Sequence, residues 1–189
     1  MSDAPGTQAG SEAGTEAGSG IEPDTKDWTW VLHERCPECG FTASDVDPRT
    51  IGATVRDLLP RWAGALHRQG ARVRPAPTTW STLEYGAHVR DVFRVFDERL
   101  QLMLEHDDPQ FANWDQDATA LAERYDQQDP VVVADELVEA GEAIAATFDS
   151  VGERWDRTGR RSNGSVFTVR TLGQYFLHDV VHHLHDVRA

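Results

Sequence analysis

Four of this chain's eight histidines fall within eight positions, in the stretch Tyr175-Phe-Leu-His-Asp-Val-Val-His-His-Leu-His-Asp-Val187. The apolar residues between them recur at helical spacing. At about 100° per residue, Phe176, Val180, Leu184 and Val187 share a face that Leu177 and Val181 widen. The spacing predicts an amphipathic helix with one side buried.

The polar residues of that helix divide by direction. With Phe176 at zero, His178, His182 and His185 fall near ~200°, ~240° and ~180° and point away from the core. Asp179 and His183 fall near ~300° and ~340°, flanking the apolar stripe one turn apart. Side chains at i and i+4 can hold one metal ion together. His178 and His182 have the same spacing but lie on the outer face, so Asp179 and His183 are the preferred pair. The competing reading makes all of them surface polar residues, and an Asp/His cluster at the core edge weighs against it.

At 189 residues the chain is long enough for one domain with its own core. Residues 1–26 are Gly, Ala, Ser, Thr, Glu, Asp and Pro with almost no apolar content, the composition of a disordered acidic tail. Residues 27–189 are left to form the folded domain. The net charge of −14 argues against nucleic acid or an anionic membrane as a partner. No apolar run approaches ~18 residues and no basic-then-apolar leader is visible, which predicts a cytoplasmic protein. Lys26 is the sole lysine beside the arginines, a bias expected of a GC-rich genome.

Residues 27–46 read as an N-terminal extension. Asp27-Trp-Thr-Trp-Val-Leu32 alternates bulky and polar residues and predicts a short strand or extended segment leading to Cys36-Pro-Glu-Cys39-Gly40. Two cysteines do not make a disulfide framework. One CxxC offers two thiolates where a structural zinc site needs four ligands. His33 can add a third, and no fourth is evident nearby. Cys36 and Cys39 therefore stay open between a structural turn, an accessory metal or redox pair, and a reactive thiol.

Asp47-Pro48 is a helix start, with a capping carboxylate before a proline. The first long helix is expected to run to about Gln69, with Val55, Leu58, Leu59, Trp62 and Leu66 inward and a bend at Pro60. Ser81-Thr-Leu-Glu84 is a capping box opening a second helix through about Glu105. Its buried stripe is Tyr85, Val89, Val92, Phe93, Phe96, Leu100 and Met103, with His88 at the edge. A short acidic helix is expected near 118–125. Asp129-Pro130 repeats the start signal for a third long helix to about Val151, with Val132, Val133, Leu137, Ile144 and Phe148 inward. Residues 157–169 read as a β-hairpin around Asn163-Gly164, and Thr171 can cap the last helix. The sum is an all-α four-helix bundle with long connections, a short extra helix and a small β-hairpin.

Bundles build metal sites from ligands on facing helices. His88, Asp179 and His183 are the three core-edge candidates. Two imidazoles and a carboxylate leave open positions on a divalent ion such as Zn²⁺, Ni²⁺ or Fe²⁺. An ion held this way lowers the pKa of a coordinated thiol or water.

These residues carry a resemblance. Trp80-Ser-Thr-Leu-Glu-Tyr-Gly-Ala-His88-Val-Arg-Asp91, followed about ninety residues later by Asp179-x-x-x-His183-Leu-His-Asp-Val187, resembles the DinB superfamily of four-helix bundles. The resemblance spans roughly residues 47–188. It implies a bacterial protein with three metal ligands, His88 from the second helix and Asp179 and His183 from the last, with Asp where the family more often has His or Glu. It further implies kinship with mycothiol-dependent maleylpyruvate isomerases and thiol S-transferases, hence a small-molecule thiol and a small electrophile as partners. On that reading Arg90, Asp91, Trp114 or Arg170 would position the substrate, and a homodimer is an allowed assembly. The alternative is a non-catalytic, stress-associated bundle whose histidines or metal serve only the structure. A methyltransferase fits poorly, because no glycine cluster follows a strand and opens a helix.

Overall fold

The computed structural model describes residues 20–21 and 26–189. The tail expected over 1–26 lies outside the described residues except for Gly20, Ile21 and Lys26. Four long helices carry the fold: α1 (Ile51–Leu66), α2 (Thr82–Glu105), α4 (Pro130–Asp149) and α5 (Val169–Asp186). A shorter helix, α3 (Gln116–Ala122), crosses between α2 and α4. β1 (Gln110–Phe111) pairs in parallel with β2 (Thr158–Arg161), and β2 pairs antiparallel with β3 (Val166–Thr168).

Local chemistry sets where each helix begins. Asp47 accepts from the Arg49 amide at 3.0 Å, and Pro48 opens a 3₁₀ turn, Pro48–Thr50, that runs into α1. Ser81 and Glu84 close the expected capping box at the head of α2. Asp129 accepts from Val131 at 2.8 Å ahead of Pro130. The cap of α5 is Thr168 rather than Thr171: Thr168 accepts from the Thr171 amide, and Thr171 is its third-residue partner in a second capping box. The hairpin leads straight into the helix, so the cap moves back to its last strand residue. Asp115 caps α3, starting it two residues earlier than the acidic pattern suggests, and Arg124 (φ 52°) breaks the path into a 3₁₀ turn at Tyr125–Gln127. α1 runs unbroken through Pro60.

Burial follows the helical stripes. α4 packs against both α1 and α2, while α5 lies on α2 with a lighter contact to α1. The centre holds Val55, Trp62, Phe93, Leu100, Leu137, Ile144 and Phe176, each fully buried. Phe148 stacks on Phe176 at 5.6 Å across the core. Val132 is 53% exposed although expected inward. It precedes the Val133, Leu137, Ile144 stripe by about 100° and so falls off that face. Gly141 is where α4 comes closest, since a Cβ there would stand 2.3 Å from Leu59 Cδ2 and 2.9 Å from Phe93.

The N-terminal extension departs from expectation. Trp28–Leu32 is a 3₁₀ helix capped by Asp27, not a strand: its amides are taken up locally, with His33 donating to the Trp30 carbonyl at 2.9 Å. It packs on α5, burying Val31 and Cys36. Gln174 of α5 donates to the Ala43 carbonyl at 2.8 Å and holds the segment down. α5 is consequently covered on two sides, by α2 and by this extension.

Candidate metal centre

His88 sits in the second turn of α2, and α5 presents Asp179 and His183 one turn apart beside it. His88 Nε2 and His183 Nε2 each stand 3.3 Å from Asp179 Oδ1, and the three candidate donor atoms lie within 4.8 Å of one another. A charge-assisted N–H···O⁻ bond is usually ~2.7–2.9 Å. By contrast, ligands of one tetrahedral ion at 2.0–2.1 Å are held about 3.3 Å apart. The spacing suits shared coordination better than hydrogen bonding. His88 is fully buried, and its Nδ1 has no partner among the described residues.

The electrostatics keep all three groups able to coordinate. Burial pushes the His88 imidazole down against the pull of Asp179, so the ring is neutral near pH 7. Burial would raise the Asp179 carboxyl, but His88, His183 and His178 outweigh it and hold it at about 2. Asp186 Oδ2 lies 2.8 Å from His183 Nδ1 and fixes that ring, leaving Nε2 for the centre. Trp114 stacks on His88 at 5.4 Å with 6° between the planes, and Trp80 lies 5.4 Å from it. The residues present therefore fit a divalent ion.

One side of the cluster opens outward. A cavity of about 60 Å³ lined by Trp28, Gln116, Tyr175 and His183 meets Asp179 on one flank. A second, also about 60 Å³, places Arg99 and Arg161 with Trp114 and Tyr175 on the other flank of Asp179. A third of about 180 Å³ reaches His183 past Trp80 and Tyr85. Gln116, at the start of α3, lines all three. Arg99 is 6% exposed, donates to the Ala112 carbonyl at 3.0 Å, and is pushed down to about 10 by burial and by Arg161.

The four residues named for substrate positioning separate. Trp114 is at the cluster. Arg90 instead forks onto Asp91 (2.9 and 3.1 Å), and its Nη1 donates to Glu136 and Gln128 at 2.8 Å each. Tyr125 donates to Asp91 at 2.6 Å, so Arg90 ties α2 to α4 through Glu136 and Asp91 ties it to the turn at Tyr125–Gln127. Arg170 lines none of the three cavities and faces Asp156 at 3.9 Å. Arg99, Arg161, Gln116 and Tyr175 were not singled out from the sequence. Two of them, Gln116 and Arg161, sit on a connection and at the hairpin margin, where periodicity carries no direction, while Arg99 and Tyr175 lie on the long helices α2 and α5.

The outer histidines need correction. His178 and His182 are 3% and 7% exposed, not turned to solvent. The wheel placed them away from the bundle core, and the 27–46 extension covers that face. Trp28 lies 5.7 Å from His178 and 5.2 Å from His182, with Phe41 5.5 Å from His178. Burial, with His182 beside it, pushes His178 down to about 4. Cys36, Cys39, His178 and His182 bring their candidate donor atoms within 4.8 Å of one another. His33 is exposed and takes no part in that cluster. His185 is exposed as expected.

Fold and cluster together define a class: four-helix bundles with a histidine/carboxylate cluster where the second and last long helices meet. The chain belongs to the DinB superfamily, whose profile matches residues 53–187. Among solved structures it is similar to YfiT from Bacillus subtilis, described as a probable metal-dependent hydrolase with an unusual four-helix bundle topology. That match has a TM-score of 0.65 at 16% identity and covers 73% of this chain and 82% of YfiT. No curated protein matches the chain significantly. Among the described residues no helix is long and apolar enough to cross a membrane.

Proposed function

We propose that this protein is a metal-dependent enzyme that uses a low-molecular-weight thiol of the mycothiol type on a small anionic electrophile, either in an S-transfer that expels the electrophile's leaving group or in an isomerisation in which the thiol adds and is released unchanged. The reading rests on the donor spacing: three ligand atoms from two helices within 4.8 Å of one another, both imidazoles 3.3 Å from Asp179 Oδ1, with one side open to a cavity. His88, Asp179 and His183 would hold Zn²⁺, Ni²⁺ or Fe²⁺. A bound ion supplies Lewis acidity, bringing a thiol or water in its open position to the anionic form near neutral pH.

The chain's own residues do the remainder. Trp80 and Trp114 enclose His88 and exclude water from that side of the cluster. Asp186 holds the His183 ring in one orientation. Arg99 and Arg161, without a carboxylate in ion-pair contact among the described residues, would orient a substrate carboxylate beside Asp179. Gln116 and Tyr175 offer hydrogen bonds along the same wall.

A second reading puts water in place of the thiol, making a hydrolase; the description of YfiT favours it. The two are separated by assaying metal-loaded protein for thiol consumption and for hydrolysis of small anionic esters and amides. His88→Ala and His183→Ala should each lower metal content relative to wild type and abolish turnover. If both variants keep the wild-type metal content, the centre is not there. A metal-dependent rise in melting temperature with neither turnover would leave the ion a structural role.

A further inference from the structure

We propose that Cys36, Cys39, His178 and His182 form a second metal centre, a closed four-ligand Zn²⁺ site that fastens the N-terminal extension to α5. Their donor atoms lie within 4.8 Å of one another, and Cys36 Sγ stands 3.7 Å from His182 Nδ1. Sulfur and nitrogen ligands of one tetrahedral Zn²⁺, at 2.3 and 2.0–2.1 Å, are about 3.6 Å apart. The donors are thus nearly in place.

Charge suits the burial. Two thiolates and two neutral imidazoles around Zn²⁺ sum to zero, so the centre can sit where Cys36 is fully buried and His178 and His182 nearly so. Binding displaces the two thiol protons and changes no oxidation state. Four protein ligands leave no open position, so this centre is structural, in contrast to the three-ligand cluster one residue along α5.

Three local features orient the ligands. Glu38 at 3.5 Å and Asp186 at 3.9 Å face His182 Nε2, leaving Nδ1 toward Cys36. His178 Nε2 is buried without a hydrogen-bond partner among the described residues, which an ion would remedy. The Cys36–Gly40 turn is closed by Gly40 donating to the Cys36 carbonyl at 3.0 Å and by Cys36 donating to Phe41 at 2.8 Å. Gly40 takes φ +78°, a conformation glycine adopts freely.

A Cys36–Cys39 disulfide is the rival state, and it would leave both histidines without a role. α5 therefore carries two i,i+4 pairs offset by one residue. His178 and His182 face the extension; Asp179 and His183 face α2.

The test uses the full chain purified without chelator, with metal content and X-ray absorption at the zinc edge. The expected result is sulfur at ~2.3 Å beside nitrogen in the wild-type zinc shell, resolving to two sulfurs and two nitrogens in the His88→Ala protein, whose other cluster is disabled. The Co²⁺-substituted protein should show sulfur-to-cobalt charge transfer in the near ultraviolet and intense tetrahedral visible bands. Cys36→Ser/Cys39→Ser and His182→Ala should lose that signature with about one equivalent of metal, while His88→Ala and Asp179→Ala retain it. A shell of nitrogen and oxygen alone would overturn the proposal. So would full zinc in the cysteine variant, or a Cys36–Cys39 disulfide that takes up no zinc after reduction. Should the cysteine variants fail to fold, the wild-type Co²⁺ spectrum decides alone. None of these outcomes bears on the His88 cluster, whose fate the His88→Ala metal content reads separately.

Discussion

Glu84 accepts from the Ser81 amide at 2.8 Å and the Ser81 hydroxyl at 2.7 Å while Arg74 clamps its carboxylate. Burial alone would raise its pKa, but Arg74 and Ser81 hold it below the ordinary 4.5. A folded value below the unfolded one means a contribution that is complete above about pH 4.5 and is lost as pH falls through the folded value. Glu84→Gln should therefore cost about 2 kcal/mol at neutral pH, the scale of a hydrogen bond to a charged group, with the gap to wild type narrowing at pH 3. Urea melts at both pH values check this, and an equal gap at both would refute it. The same scale shows what was legible at the metal clusters. His88, Asp179 and His183 could be singled out because helical periodicity gives direction relative to one core. His178 and His182 could not, because the surface that covers them is more than a hundred residues away in sequence and a wheel knows only one buried side. The usable signal was complementary deficiency: Cys36-x-x-Cys39 lacks two ligands, and His178-x-x-x-His182 offers two.

At the scale of elements, the four long helices were readable from caps and stripes, because Asp-Pro starts and capping boxes are local chemistry. The short pieces were not. Trp28–Leu32 alternates like a strand but closes into a 3₁₀ helix against α5, and β1 is two residues recruited by the hairpin. Their conformation is decided by what they land on. Helix packing gives its own prediction at Gly141, where α4 meets Leu59 of α1 and Phe93 of α2. Gly141→Ala should gain helix propensity yet lose about 1–3 kcal/mol through overpacking. Urea denaturation checks it, and a stabilised variant would show that Leu59 moves aside freely.

For the whole molecule, stripping metal should act unevenly. The core from Ile51 to Val187 is one continuous apolar cluster, whereas residues 26–47 are held through Val31, Gln174 and the cysteine turn. Chelator treatment should speed tryptic cleavage at Arg35 while the bundle stays folded, and restoring zinc to a hundredfold excess over its Kd should return about 2.7 kcal/mol. Equal cleavage rates with and without chelator would mean that zinc does not hold the extension. The placement of tryptophans has a separate consequence. Trp28 lies beside His178 and His182, and Trp114 stacks on His88, so each cluster has its own indole fluorophore at near contact. A paramagnetic ion such as Co²⁺ quenches emission from an indole this close. Trp80 is equally close to His88, so Trp28→Phe silences one channel and the double variant Trp80→Phe/Trp114→Phe the other, and the order in which the two clusters fill can be followed in a single dye-free titration.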